Sequence, residues 1–162
     1  MASDQEAISQ HRVGAIMQIK VKHSRDHHGR KEFRPYVDGQ HAIILEDDSG
    51  QCQGELVWRL ANIGQGIAEI SGFGIAEEEN RRKGWGSRLL EAALEDMVAF
   101  MREHGIEPRL VYLFAAEETA PTKAFYEARG FRYLTRVAGL YRVGTACLYA
   151  RSLECASSEK WW

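Results

Sequence analysis

The chain has 162 residues, 44% apolar and 27% charged, and its 21 Lys and Arg against 23 Asp and Glu leave a formal net charge of −2. That length fits a single domain over residues 1–162, able to bury about two-thirds of its unfolded surface, with the composition of a soluble globular protein. The charge balance gives no electrostatic case for a nucleic-acid or membrane partner, and no apolar run approaches the roughly 20 residues of a membrane span.

Taken in chain order, the polar stretch MASDQEAISQHR lacks the apolar core of a secretory signal, so a cytoplasmic location is the default expectation. VGAIMQIKV (13–21) suits a first strand, and the polar, irregular run HSRDHHGRKEFRPYVDG follows with no assignable element. HAIILEDDSGQCQGELVWRL reads as two strands around an Asp-Asp-Ser-Gly turn. GIAEISGFGIA (66–76) is a further strand, and its interior Gly72 and Gly74 mark a bulge or a ligand close to the backbone.

From Gly86 onward Leu90, Leu94, Met97 and Met101 recur at helical spacing, widened by Leu89 and Ala93, and Gly105 suits the end of that helix. RLVYLFAA (109–116) is apolar through its middle, like a strand covered on both faces. Thr119 can cap a short helix with Pro121 in its first turn and Gly130 at its end. FRYLTRV and LYRVGTACLYARSL then pair as a last hairpin. The order argues a mixed sheet with helices packed on it. The tail CASSEKWW is unassigned; Trp161 and Trp162 could dock on the domain, dock on a second copy as in a homodimer, or fray. Cys52, Cys147 and Cys155 are an odd set without close pairing, which indicates neither a disulfide framework nor a zinc site.

One stretch asks for an explanation. Arg81, Arg82 and Lys83 lead into the long helix, followed by Gly84 and Gly86. A helix N-terminus carries roughly +0.5 of an elementary charge, so each exposed cation there costs about 0.3–1 kcal/mol. The conflict vanishes if an anion sits at that end, where backbone N–H groups, dipole and cations act on it together. Glycine at 84 and 86 would let a phosphate approach the backbone. Neutralisation by Glu77, Glu78 and Glu79 across the surface is the alternative. RRKGWGSRLL lacks the glycine–lysine–hydroxyl array of a Walker A loop, and GWGSRL puts Leu89 where a dinucleotide fingerprint needs its third glycine.

The stretch resembles the acetyl-CoA signature of the GNAT N-acetyltransferase superfamily: Arg or Gln, two residues, Gly, one residue, then Gly or Ala. Arg81, Gly84 and Gly86 match it. APTKAFYEARGF resembles the family's later motif through Phe125, Tyr126, Gly130 and Phe131. With the element order, the resemblance covers residues 41 to 150. It implies an α/β GNAT fold: a mixed, mostly antiparallel sheet splayed at a central parallel strand pair, with helices on both faces.

It implies an acyl-CoA-dependent N-acyltransferase, moving acetyl from acetyl-CoA to a primary amine in a ternary complex. The diphosphate would rest on the backbone from Arg81 to Gly86, through Arg82, Lys83, Gly84 and Trp85, with the Trp85 side chain packed under the loop, and Ser87 is a further cofactor-binding expectation. The pantetheine arm would enter between the strand ending near Ala76 and the strand 109–116, and Ile75, Ala76 and Phe125 are further cofactor-binding expectations. The amine must arrive neutral, attack the thioester and expel a thiolate whose conjugate acid has a pKa near 8.5, so two protons must be handled. Tyr126 matches the position that commonly protonates the departing sulfur. Glu69, in an AEI strand start like that of the histone acetyltransferase branch, is the candidate base; a solvent-facing role or a water chain is the alternative.

This sequence departs from the pattern at Glu77–Glu79, where proline and an aromatic residue are frequent, and at Thr119, where asparagine is. His23, His27 and His28 invite a metal only if that segment is helical, and no metal is expected. The chain between the first strand and His41 is short for the family's helix pair, which implies an open or partner-completed acceptor pocket. The rival expectation is a non-catalytic acyl-CoA-binding or regulatory module.

Overall fold

The computed structural model describes residues 17–23, 39–76, 83–116, 120–142 and 144–154. Seven strands make one sheet: β1 (Gln18–His23), β2 (Gln40–Glu46), β3 (Cys52–Asn62), β4 (Ile67–Ile75), β5 (Leu110–Ala116), β6 (Arg132–Ala138) and β7 (Thr145–Ser152). Their order across the sheet is β1-β2-β3-β4-β5-β7-β6. Helix α1 (Trp85–Glu103) links β4 to β5, and α2 (Ala120–Glu127) links β5 to β6. No described helix is long and apolar enough to cross a membrane.

All neighbouring strands run antiparallel except β4 and β5, which are parallel. That pair is short, running only from Ile67 opposite Leu110 to Ile70 opposite Leu113. Beyond it each strand stays with its outer neighbour. β4 continues along β3 to Ile75 opposite Gly54, and β5 continues along β7 to Ala116 opposite Ala146. An irregularity where Val57 faces Gly72 and Trp58 faces Ile70 leaves Ser71 as the extra residue, so the bulge expected from the interior glycines is present. A bulge bends its strand, and this one lies where β4 parts from β5. The two strands open like a V.

The core lies on one face of the sheet. Alternate residues Ile43 and Leu45, Leu56 and Trp58, Ala68 and Ile70, Val111 and Leu113, and Cys147 and Tyr149 point to it. They meet Leu89, Leu90, Ala93, Leu94, Met97 and Met101 of α1, each large apolar side chain contributing about 1.5–3 kcal/mol by leaving water. Trp58 Nε1 donates to Asp96 Oδ2 at 2.9 Å and ties α1 to the sheet. The end of α1 is a Schellman turn, with Gly105 at φ +69° and Ile106 N bonded to Met101 O at 2.8 Å.

The same device ends α2. Gly130 has φ +78°, and Phe131 N reaches back to Tyr126 O at 3.1 Å. The turn lays Phe131, 2% exposed, against Tyr126. A Gly-Phe pair after an aromatic-Tyr pair is therefore a folding device as well as a family motif. Tyr126 and Phe131 belong to the same core as α1, so both described helices lie on one face. On the other face Ala42, Ile44 and Val57 form a small second cluster, and the described residues place no helix there. The expected first strand runs to His23, which therefore stands in a strand and not in a helix; His27, His28, Thr119, Trp161 and Trp162 lie outside the described residues.

Candidate functional site

The positive end of α1 opens at the mouth of the V. Its N-cap is Gly84 at φ +81°, a left-handed conformation that disfavours any residue with a Cβ, and no side chain caps the helix. No acidic residue stands in the first turn. The first intrahelical bond, Arg88 N to Gly84 O at 3.2 Å, leaves the N–H groups of Trp85, Gly86 and Ser87 without a carbonyl one turn back. Lys83 is exposed beside them, and Arg81 and Arg82 lie outside the described residues.

Between the unpaired end of β4 and the two helices is a cavity of about 330 Å³, lined by Phe73, Gly74, Ile75, Gly86 and Phe125. Ile75, Gly86 and Phe125, three residues chosen from sequence, thus meet. Phe73 was missed as a lining residue, whereas Gly74 was read, with Gly72, as marking a bulge or a ligand close to the backbone. The signal for Phe73 is the bulge at Ser71, which shifts the alternation so that Phe73 takes the core face while Gly74 leaves open space on the other. A Cβ on Gly86 would stand 3.6 Å from the rings of both Phe73 and Phe125, so the bare glycine keeps the floor of the cavity clear.

Ala76, Trp85 and Ser87 adjoin these lining residues in the chain. Ala76 N donates to Gln53 O at 2.8 Å and stays tied to β3. Trp85 is half-buried against the core beneath the Arg88 guanidinium, 5.0 Å from its ring. The Ser87 hydroxyl accepts a hydrogen bond from Arg129 Nη2. Arg129 also donates from Nη1 to the Phe125 carbonyl at 2.7 Å and lies 3.9 Å above the Phe125 ring. No motif pointed to Arg129.

Tyr126 follows Phe125 into the core, 8% exposed, with its ring 5.1 Å from Tyr149 and 5.7 Å from Phe131. Burial, with lesser contributions from Tyr149 and Tyr141, pushes its pKa up to about 12. Tyr141, from the β6–β7 loop, donates to the Phe114 carbonyl at 3.1 Å, on the part of β5 that has left β4. Near neutral pH the Tyr126 hydroxyl carries its proton and is a donor.

Glu69 lies elsewhere. It sits in the paired part of β4 opposite Tyr112, on the face of the sheet away from Tyr126. Its Oε2 accepts from Arg59 Nε at 2.8 Å and faces Nη2 at 2.6 Å. Burial first, then the nearby Glu69 charge, raise the pKa of Tyr112. The fold thus gathers Ile75, Gly86 and Phe125 at one cavity, joins Ser87 to Phe125 through Arg129, sets Tyr126 against Phe125, and holds Glu69 in an ion pair on the other face of the sheet. Among the described residues no group of His, Cys, Asp and Glu is arranged to hold a metal ion.

The model of the acetyltransferase (GNAT) family matches residues 12–131. No curated protein matches the chain. Among solved structures, the ribosomal-protein-S18-alanine N-acetyltransferase from Escherichia coli is similar at 14% identity, with a TM-score of 0.64 over 91% of this chain and 100% of that one. The spermidine/spermine N-acetyltransferase SpeG from Vibrio cholerae is similar at 17% identity and a TM-score of 0.60, covering 73% of this chain and 68% of that one. Nourseothricin acetyltransferase is similar at 21% identity and a TM-score of 0.58, over 74% and 69%. By the match to its family model and by its fold, the chain belongs to the acetyltransferase (GNAT) family.

Proposed function

We propose that the protein transfers an acetyl group from acetyl-CoA to a primary amine, by direct attack within a ternary complex. One observation carries this reading: the V between β4 and β5 opens onto an uncapped, acid-free helix N-terminus beside an apolar cavity. Those features fit the two ends of an acyl-CoA. The N–H groups of Gly84, Trp85, Gly86 and Ser87, with Arg81, Arg82 and Lys83, would hold the diphosphate. Ile75, Ala76 and Phe125 would line the thioester arm, along the stretch of β4 that has no β5 partner. Acetyl-CoA supplies the activated carbonyl. The named neighbours' substrates include a spermidine and a ribosomal-protein alanine, in line with an amine acceptor.

Tyr126 would aim its hydroxyl at the departing sulfur. With a pKa near 12 against roughly 8.5 for a thiol, complete transfer of its proton to a free thiolate is uphill by roughly 5 kcal/mol. It therefore serves best as a hydrogen-bond donor to charge developing on sulfur, while the amine supplies the proton that sulfur finally keeps. Glu69, as base, would have to act from within its ion pair, most simply through a water.

That ion pair favours a second reading, a non-catalytic acyl-CoA-binding or regulatory module, because the carboxylate that would receive the amine's proton is held by Arg59 on the face of the sheet away from Tyr126. Release of free CoA thiol across an amine library, with Tyr126→Phe as control, separates the two. Amine-dependent thiol release establishes the transferase. Binding of acetyl-CoA with no release for any amine establishes the module.

A further inference from the structure

We propose that Arg129 is a positioning residue of the acyl-CoA site, fixing the distance between its two walls. The inference rests on the acyl-CoA reading above.

Arg129 lies in the turn that follows α2, two residues past Glu127 and just before Gly130, and Arg151 Nη1 anchors its carbonyl at 2.8 Å. Its side chain folds back along the helix. The guanidinium covers the Phe125 ring, donates to the Phe125 carbonyl and reaches the Ser87 hydroxyl in the first turn of α1. One planar fork therefore joins Phe125, one wall of the cavity, to the residue next to Gly86, the other wall. Its position repeats the oddity of Arg81, Arg82 and Lys83. A cation is favourable at the C-terminal end of α2 but unfavourable at the N-terminal end of α1, unless an anion is to be received there.

Nothing links Arg129 directly to the hydroxyl of Tyr126, whose ring is held by Phe131 and Tyr149. Losing Arg129 thus disturbs reception of the acyl-CoA more than the transfer step. A lysine cannot span both partners as the fork does, so charge alone does not restore the bridge.

The test uses initial rates with acetyl-CoA varied, on the full chain and on Arg129→Met, Arg129→Lys, Ser87→Ala and the double variant Ser87→Ala/Arg129→Met. In Arg129→Met the KM for acetyl-CoA should rise roughly tenfold, the scale of a lost charge-assisted hydrogen bond, with kcat within about threefold. Arg129→Lys should recover only part of that loss. The double variant should be no worse than Arg129→Met alone, because both changes break one bridge. Unchanged KM in folded Arg129→Met overturns the assignment, as does a KM rise in the double variant equal to the product of the two single effects. Should Arg129→Met not fold, Ser87→Ala breaks the bridge from its other end, and an unchanged KM there is equally fatal. Failure of the unaltered protein to bind acetyl-CoA overturns the functional reading itself, whereas binding with an unaffected Arg129→Met removes Arg129 alone.

Discussion

Glu69 and Arg59 face each other across β4 and β3, with Oε2 2.6 Å from Nη2, and only 14% of the glutamate side chain remains exposed against 53% of the arginine. The strand register that pairs these two residues also removes Glu69 from the Tyr126 face. Removing Arg59 would leave a largely sheltered carboxylate without its strongest donor. Arg59→Met should therefore cost about 1–3 kcal/mol in urea denaturation, and Glu69→Gln in the same background should recover part of it. If Glu69 is the base, Glu69→Gln also lowers kcat at least tenfold with the KM for acetyl-CoA unchanged. An unaltered kcat would assign proton removal to water.

Tyr126→Phe should lower kcat more than tenfold and leave acetyl-CoA affinity nearly intact, since only the hydroxyl is lost and the ring packing remains. Titration provides a second check. A folded-state pKa of about 12 against about 10 unfolded means that the stability linked to this proton is whole below pH 10 and lost as pH rises through 12. The loss is on the order of 2–3 kcal/mol. Tyr126→Phe should flatten the fall in stability between pH 10 and 12, measured by chemical denaturation.

Gly86→Ala should move stability and affinity in opposite directions. The added methyl would meet Phe73 and Phe125 at 3.6 Å, ordinary contact, and alanine in a helix gains up to about 1 kcal/mol over glycine. The same methyl fills the floor of the cavity. A higher melting temperature with a raised KM for acetyl-CoA is expected. Stabilisation with unchanged KM would show that the thioester arm does not pass this point.

Two glycines of similar backbone conformation should respond differently to alanine. Gly105 (φ +69°) faces open space, so its substitution costs about 1–2 kcal/mol for the left-handed conformation alone. Gly66 (φ +60°) would put a Cβ 1.8 Å from the Glu107 carbonyl, next to the start of the β4–β5 pair. Its backbone must shift, so Gly66→Ala should lose at least twice as much stability as Gly105→Ala and loosen the base of the V. Equal losses in the two variants would count against that packing.

Residues with local signatures could be read before folding. The amphipathic stripe from Leu89 to Met101, the terminating Gly105 and Gly130, and the turn at Asp47–Gly50 each depend on neighbours a few positions away, so pattern and helix end were written together. The crowding of Arg81, Arg82 and Lys83 before Gly84 was likewise a local electrostatic conflict, visible without a fold. What sequence could not settle was which distant groups meet. The pairing of β7 with β5, the pairing of Glu69 with Arg59, and the reach of Arg129 to Ser87 join positions 10 to 42 residues apart, through sheet register and helix placement. Side-chain direction in a strand reverses with each residue, so one extra residue at Ser71 decided whether Phe73 lined the cavity or faced away. Tertiary packing alone sets that register, because it is the burial of one face that selects it.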